Sequence, residues 1–496
     1  MAVWGVAPSP TKGRGPLGTW WKGPGATGPS GALALERLET IVLRPASRTT
    51  IANMLETAMA KRNMHLVAFL KTGPTFHHHG GWRHPEAPLG DILKPERYES
   101  IGRVLEAGLF DACFFEDLAG VYDTYAGKFD TILGRGGQLN LLDPLMVLPC
   151  IARATSRLGL GITMSTSFYH AFHIARMLGS LDHLSGGRVA WNVVTSATDM
   201  EAQNFGMDAI PDRNSRYDRA EETVEACLAL WDGWEEGALL LDKESGAFAD
   251  PAKVHYANYQ GRHVRTRGPL PTPRCPQGHP VIMQAGSSPR GRAFAARFAE
   301  VIFTFQHQKS DMQAFRADMH ARLQAAGRDP ADCVILPSLD VVLGDTQAMA
   351  EERRDYLDRL VDPELALAIT SSHIGIDLSG FDLDKPLEAL AGDQTVSGGL
   401  DILMQGTRAE GLTLRQAAQR YGTSVMAPQL VGTAESVADR MQDLFESGAC
   451  DGFILTPTTF PGMFEQFARS VIPALQRRGI YRTSYSGATL RENLRT

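Results

Sequence analysis

The sequence has little cysteine, no excess of positive charge and no long apolar run, and each absence closes off a class of function. Its six cysteines, Cys113, Cys150, Cys227, Cys275, Cys333 and Cys450, are widely spaced and form no CxxC pair. That spacing argues against a zinc ribbon or a disulfide framework, and small core residues in a reducing cytoplasm are expected instead. With 49 Lys and Arg against 56 Asp and Glu the net charge is −7, which leaves no basic face for gripping nucleic acid. No apolar stretch approaches the about 18 residues that a membrane helix needs. No GxGxxG follows a strand-like run, so a dinucleotide fold is not expected. Paired glycosidase carboxylates and a three-ligand metal set are also missing.

What is present is ordinary globular composition, 43 % hydrophobic and 21 % charged, which excludes an acidic or basic disordered chain. The 496 residues suggest about three domains at about 150 residues each, although α/β barrels of this size fold as one. Residues 1–31 carry eight Gly and five Pro with Trp4, Trp20 and Trp21 among them. Such a stretch holds neither a helix nor a central strand and lacks the apolar core of a signal peptide. Residues 1–60 are therefore expected to be an unstructured extension, or upstream codons joined by a mis-called start. Met54, Met59 and Met64 are alternative starts, and order is expected from near Met64.

From there eight short apolar runs alternate with longer amphipathic ones. The runs cover residues 65–70, 112–117, 158–165, 189–196, 281–286, 300–305, 334–343 and 452–456. Continuous rather than alternating hydrophobicity is what strands buried on both faces require. Asp143-Pro144 and Ser288-Pro289 each place a capping side chain before a proline at a first helical position. Eightfold alternation predicts an α/β fold, a (β/α)8 TIM barrel with insertions, spanning residues 64–490 as one domain. The insertions are residues 235–279, rich in Gly and Pro, and 362–430, a candidate lid containing the loop-like stretch 391–399.

In such a barrel the chemistry sits at the C-terminal ends of the strands. Those ends collect the stretches 70–79, 117–122, 163–169, 192–196 and 286–288. Gln284-Ala285-Gly286-Ser287-Ser288-Pro289 puts a glycine and two hydroxyls where a helix begins. Free N–H groups and the helix dipole make that a phosphate position, and plain capping by Ser288 is the competing reading. The run His77-His78-His79, with His84 nearby, cannot turn three adjacent rings to one ion from regular structure, so no metal is expected. His170 and His173 read as loop or helix-surface residues.

With these motifs in view, the sequence resembles the flavin-dependent monooxygenases of the bacterial luciferase superfamily. The nearest branch holds the nitrilotriacetate, pristinamycin-synthase, dibenzothiophene-sulfone and long-chain alkane monooxygenases. The segments that carry the resemblance include Gly81-Trp82-Arg83-His84-Pro85, Phe110-Asp111-Ala112-Cys113-Phe114-Phe115-Glu116-Asp117 and Ser180-Leu181-Asp182-His183-Leu184-Ser185-Gly186-Gly187-Arg188. Others are Val189-Ala190-Trp191-Asn192-Val193-Val194-Thr195-Ser196, Asn204-Phe205-Gly206, Arg216-Tyr217-Asp218 and Gln284-Ala285-Gly286-Ser287-Ser288. Asp451-Gly452-Phe453 and Pro473-Ala474-Leu475-Gln476-Arg477-Arg478-Gly479 complete the set, and the similarity runs from about residue 64 to about 490.

The resemblance implies reduced FMN supplied by a separate NAD(P)H:FMN reductase, with one atom of O2 passing to a small organic substrate through a flavin C4a-(hydro)peroxide. It also implies a homodimer or homotetramer. Asp117 and Tyr122 match contacts to the flavin ring and ribityl chain, and Asn192, with Thr195 and Ser196 behind it, matches the fourth-strand contact. Tyr217, Gly286, Ser287 and Ser288 match the phosphate positions, while Ser165 and Thr166 are placed near the ring. The phosphate reading thereby overtakes plain capping. Relatives often carry a histidine where Phe76 stands here, so His79 is the best remaining proton-handling candidate of that loop. Phe76, Trp82, Phe168, Tyr169 and Phe305 are read as an aromatic wall, favouring an apolar, aromatic, sulfur- or halogen-bearing substrate over a polyanion. Two other readings stand beside this one: deazaflavin-dependent hydride transfer, and a flavin-binding barrel without turnover.

Overall fold

Continuous hydrophobicity builds a closed parallel barrel. The computed structural model divides the chain into residues 1–60 and 61–496, and describes residues 62–386 and 411–495. The expected extension at 1–60 and the stretch 391–399 lie outside the described residues. Strands β1 (His65–Leu70), β2 (Ala112–Phe115), β3 (Gly159–Ser165) and β4 (Val189–Val194) follow one another around the barrel. A short antiparallel pair, β5 (Tyr259–Gln260) and β6 (Arg265–Thr266), interrupts them inside the 235–279 insertion. The circuit continues through β7 (Val281–Gln284), β8 (Val301–Thr304), β9 (Val334–Leu343) and, after β10 (Gln429–Gly432), β11 (Gly452–Pro457), which pairs with β1. All eight predicted runs are barrel strands; β2, β4, β7 and β8 end one or two residues earlier than the apolar pattern does.

One strand departs from the regular plan. β9 has ten residues against four in β8. Its first half pairs with β8 as far as Thr304 opposite Pro337, a residue with no N–H to extend that ladder. Beyond it, Asp340–Leu343 pairs with β10 instead. The strand thus leaves β8 near the top of the barrel, and the 362–430 insertion returns to the sheet through β10.

The described parts of that insertion hold two helices. In Pro363–Ile374, Asp362 accepts hydrogen bonds from the Glu364 and Leu365 amides at 3.0 Å each, and Gly375 ends the helix in the left-handed region at φ 72°. Leu414–Ser424 begins with a capping box between Thr413 and Gln416. The two helices pack through Leu367, Ile374, Leu414, Ala418 and Tyr421. The other face of the first helix, through Leu365, Ala368 and Ile369, meets Tyr122 and Ile132.

The opposite end of the barrel is closed by the C-terminal segment. Asp111, buried at the start of β2, accepts from the Leu66 amide at 2.8 Å and meets His65 Nδ1 at 2.9 Å; it is also ion-paired with the buried Arg482. Arg491 reaches Glu300 at 2.6 Å. Among the described residues no helix is long and apolar enough to cross a membrane.

Candidate active site

The C-terminal strand ends open into a cavity of about 1410 Å³. A pocket for one small ligand usually measures about 300–1,000 Å³, so this one has room for two. Inward-facing residues of successive strands line it: Phe69 and Lys71 from β1 and its exit, Phe114 and Glu116 from β2 and its exit, Thr163 from β3, Asn192 from β4 and Gln284 from β7.

One end is built to receive an anion. Ser287, Ser288 and Pro289 bring the start of the Pro289–Phe298 helix to the cavity, with the Ser288 hydroxyl accepting from the Gly291 amide at 3.1 Å. Tyr217, on the Arg213–Trp231 helix, lies beside Ser288, and burial raises its phenol pKa so that the hydroxyl keeps its proton. A Cβ at Gly286 would stand 2.7 Å from the Tyr217 hydroxyl, so only glycine leaves that hydroxyl its place. Arg213 and Arg216 line the same end, and Arg216 Nε is buried without a hydrogen-bond partner. Helix dipole, hydroxyls and guanidinium groups converge as a phosphate monoester requires.

The middle carries unsatisfied acceptors. Asn192 Nδ2 donates to Thr163 Oγ1 at 3.0 Å while its Oδ1 is buried without a partner, and Gln284 Oε1 is in the same condition. Leaving such atoms unpaired costs about 1–3 kcal/mol each, which a ring bearing N–H groups offsets. Thr195 and Ser196 also line the cavity; Ser196, at φ 51°, hydrogen-bonds Ser165 Oγ at 3.0 Å. Ser165 itself lies one step behind the lining, and the Thr166 hydroxyl turns to the Val194 carbonyl at 3.1 Å. This donor and acceptor set fits a ligand that carries both a phosphate and a ring with N–H groups, as FMN does.

Asp117 and Tyr122 line the cavity as well. Burial, reinforced by Glu116, Asp143 and Glu201, lifts the Asp117 carboxyl pKa from 3.8 to about 7. As pH rises the unfolded chain releases this proton first. The stability the group contributes, full below 3.8, is therefore lost as pH climbs to about 7. Calorimetry of Asp117→Asn is expected to show a flatter dependence of melting temperature on pH across that window. Equal slopes in the two proteins would exclude Asp117 as the source.

The far end is apolar. Phe69, Phe114, Phe303 and Phe305 face it, with Phe114 and Phe303 ring centroids 4.9 Å apart. Of the predicted wall only Phe305 reaches the cavity lining. Phe76 stacks on Phe460 at 5.2 Å, Trp82 packs over Gly136, and Phe168 lies parallel to Phe205 at 4.6 Å with Tyr169 at its edge. Loop aromatics pack on one another, while aromatics at the strand ends, which resemble core in sequence, line the cavity.

The three adjacent histidines diverge. His77 lines the cavity, His78 Nε2 lies 3.3 Å from Asp358 Oδ1, and His79 is buried against Tyr421 with neither ring nitrogen hydrogen-bonded. His79, the predicted proton handler, does not line the cavity; His77 does. Among the described residues no cluster of metal-ligating side chains occurs.

The insertion helices add groups absent from the sequence expectations. His373 Nε2 meets Gln138 Oε1 at 3.1 Å, and its Nδ1 meets the Tyr421 hydroxyl at 2.7 Å. Gln138 Nε2 donates to the Phe76 carbonyl at 3.0 Å, which fixes the amide. His373 therefore donates from Nε2 and accepts at Nδ1 from Tyr421. Burial, then Lys71, pushes its pKa down to about 3, so the ring is neutral. Lys71 is itself paired with Glu116 at 2.6 Å.

Comparison with known proteins adds the following. A family model described as luciferase-like monooxygenase matches residues 75–451. A dibenzothiophene-sulfone monooxygenase of Rhodococcus erythropolis (strain XP) is 46 % identical over 439 residues, 88 % of this chain and 97 % of its own. Among solved structures, DmoA from Hyphomicrobium sulfonivorans superposes with a TM-score of 0.82 at 34 % identity, over 87 % of this chain and 92 % of that one. A riboflavin lyase solved with modified FMN and its substrate riboflavin gives 0.80 at 32 % identity, over 88 % and 96 %.

Proposed function

The chain belongs to the luciferase-like monooxygenase family, and from that premise we propose that it works with reduced FMN delivered by a separate NAD(P)H:FMN reductase. Its substrate is a small apolar molecule, aromatic or sulfur-bearing, into which one atom of O2 is inserted. The observation that carries the cofactor reading is the anion end of the cavity, where the orphaned Arg216 Nε, the Ser288 cap and the Tyr217 hydroxyl meet beside Gly286. A related structure with a modified FMN supports it.

Reduced FMN, when bound, supplies the electrons and the centre at which O2 is activated. This chain's residues do the rest. Tyr217, Ser287 and Ser288, with Arg213 and Arg216, hold the phosphate; Asn192, Thr195, Ser196, Asp117 and Tyr122 orient the ribityl chain and ring. Phe69, Phe114, Phe303 and Phe305 take the apolar body of the substrate. His77 and the His373–Tyr421–Gln138 network are uncharged hydrogen-bonding groups beside that wall. They suit a neutral substrate carrying an oxygen acceptor, such as a sulfone, better than a polycarboxylate, since Lys71 beside them is already paired with Glu116. Helices Pro363–Ile374 and Leu414–Ser424 cover this end and keep out the water that would divert activated oxygen to peroxide.

Anaerobic titration tests the cofactor assignment. Reduced FMN is expected to bind at least about a hundredfold more tightly than reduced riboflavin, the value of two charge-assisted hydrogen bonds. Equal affinities would remove the phosphate from the account.

A further inference from the structure

Two buried polar groups behind His77, Asp340 and Thr456, have no part in the roles just assigned. Asp340, in β9, is fully buried, and neither carboxyl oxygen has a hydrogen-bond partner. The register of β9 and β11 sets Thr456 beside it, whose hydroxyl is also buried and unpartnered. Facing the carboxyl is the His77 ring, with Nδ1 3.7 Å from Asp340 Oδ1. His77 lines the cavity, yet Nδ1 is buried without a hydrogen-bond partner. Nε2 is therefore the nitrogen left to meet whatever occupies the cavity.

Two protonation patterns fit a carboxyl facing an imidazole. An ionised carboxylate would accept from Nδ1–H and leave Nε2 an acceptor; a neutral acid would donate to Nδ1 and leave Nε2–H a donor. Burying a carboxylate without hydrogen bonds or a counter-ion is the costlier choice. Burial holds the Asp340 carboxyl well above the usual range. Burial, then Lys71 and His373, pushes the His77 ring down to about 3, so the imidazole does not supply the missing cation. We infer that Asp340 is a positioning residue, a neutral acid whose O–H is directed at His77 Nδ1 and thereby fixes the tautomer that presents Nε2–H to the cavity. At 3.7 Å the pair is looser than a formed hydrogen bond, as is common before a ligand draws such a pair together. The consequence is that His77 acts on the cavity as a donor, able to hold a substrate oxygen, and not as a base.

This inference rests on the cavity being the reaction chamber, but its primary test needs neither flavin nor substrate, so the two fail separately. The 15N spectrum of histidine-labelled protein, with His77 assigned by its absence in His77→Gln, is expected to show protonated Nε2 and bare Nδ1. Difference infrared spectroscopy between wild type and Asp340→Asn is expected to show a carboxylic-acid carbonyl band still present at about pH 8, beyond the reach of an ordinary carboxyl. Asp340→Leu, of similar volume with no donor, is expected to mix the two tautomers. In turnover it should lower kcat about tenfold with KM nearly unchanged, while Asp340→Asn, which keeps an N–H donor, stays within about threefold of wild type. A wild-type His77 protonated at Nδ1, or no acid carbonyl band, would overturn the inference, and so would a Leu variant with an unchanged tautomer. Should the Leu variant not fold, the wild-type spectrum and the Asn difference band decide the matter alone.

Discussion

Replacing Tyr217 by Phe together with Ser288 by Ala is expected to weaken binding of reduced FMN about a hundredfold while leaving reduced riboflavin within about threefold. Each hydroxyl is placed to donate to a phosphate oxygen, and a hydrogen bond to a charged group contributes about 1.5–3 kcal/mol. Both side chains line the same end of the cavity, so their losses are coupled and fall short of the sum. Ser288 also caps its helix through the Gly291 amide. Losing that cap costs about 1 kcal/mol of stability but touches both flavins alike, so the ratio of the two affinities isolates the phosphate contribution. Both affinities falling together would mean that the pair maintains the helix start and does not grip phosphate.

A second large effect is expected far from the cavity. Asp111→Asn leaves the buried Arg482 guanidinium without its counter-charge, and breaking one partner of a buried pair costs about 3–5 kcal/mol. The thermal midpoint should fall accordingly, with the affinity for reduced FMN unchanged, because Asp111 lies at the start of β2 and the cavity opens at the opposite strand ends. Asp111→Asn combined with Arg482→Met keeps an acceptor for the Leu66 amide, removes the unpaired charge and should recover most of the loss. A double variant no more stable than Asp111→Asn would place the effect in packing and not in the unpaired charge.

How much of this was legible in the sequence follows from what each element must bury. Strands such as His65–Leu70 bury every residue and announce themselves as unbroken apolar runs. The helix start at Ser288 was equally plain, because a capping hydroxyl before a proline marks a first helical position. The insertion was opaque for a physical reason: Pro363–Ile374 buries nine of its twelve residues, so no helical period separates a wet face from a dry one. His373 and Tyr421 were missed with it, although Asp362-Pro363 repeats the cap that marked Pro144–Ala154. That His77 and not His79 lines the cavity was not legible, because an irregular loop has no period with which to rank three adjacent rings. Phe69, Phe114 and Phe303 were absorbed into the expected core, since inward-facing residues at a strand end and residues within the barrel look alike in sequence.

The central claim is oxygen insertion by reduced FMN bound in this cavity. The most direct measurement supplies the protein with a flavin reductase, NADH, FMN and 18O2, offers a panel of neutral aromatic sulfur compounds, and reads products by mass spectrometry. The account predicts a product carrying one 18O atom that disappears in Tyr217→Phe/Ser288→Ala at low FMN and returns when FMN is raised. A product with no label, or substrate consumed equally without oxygen, would contradict it.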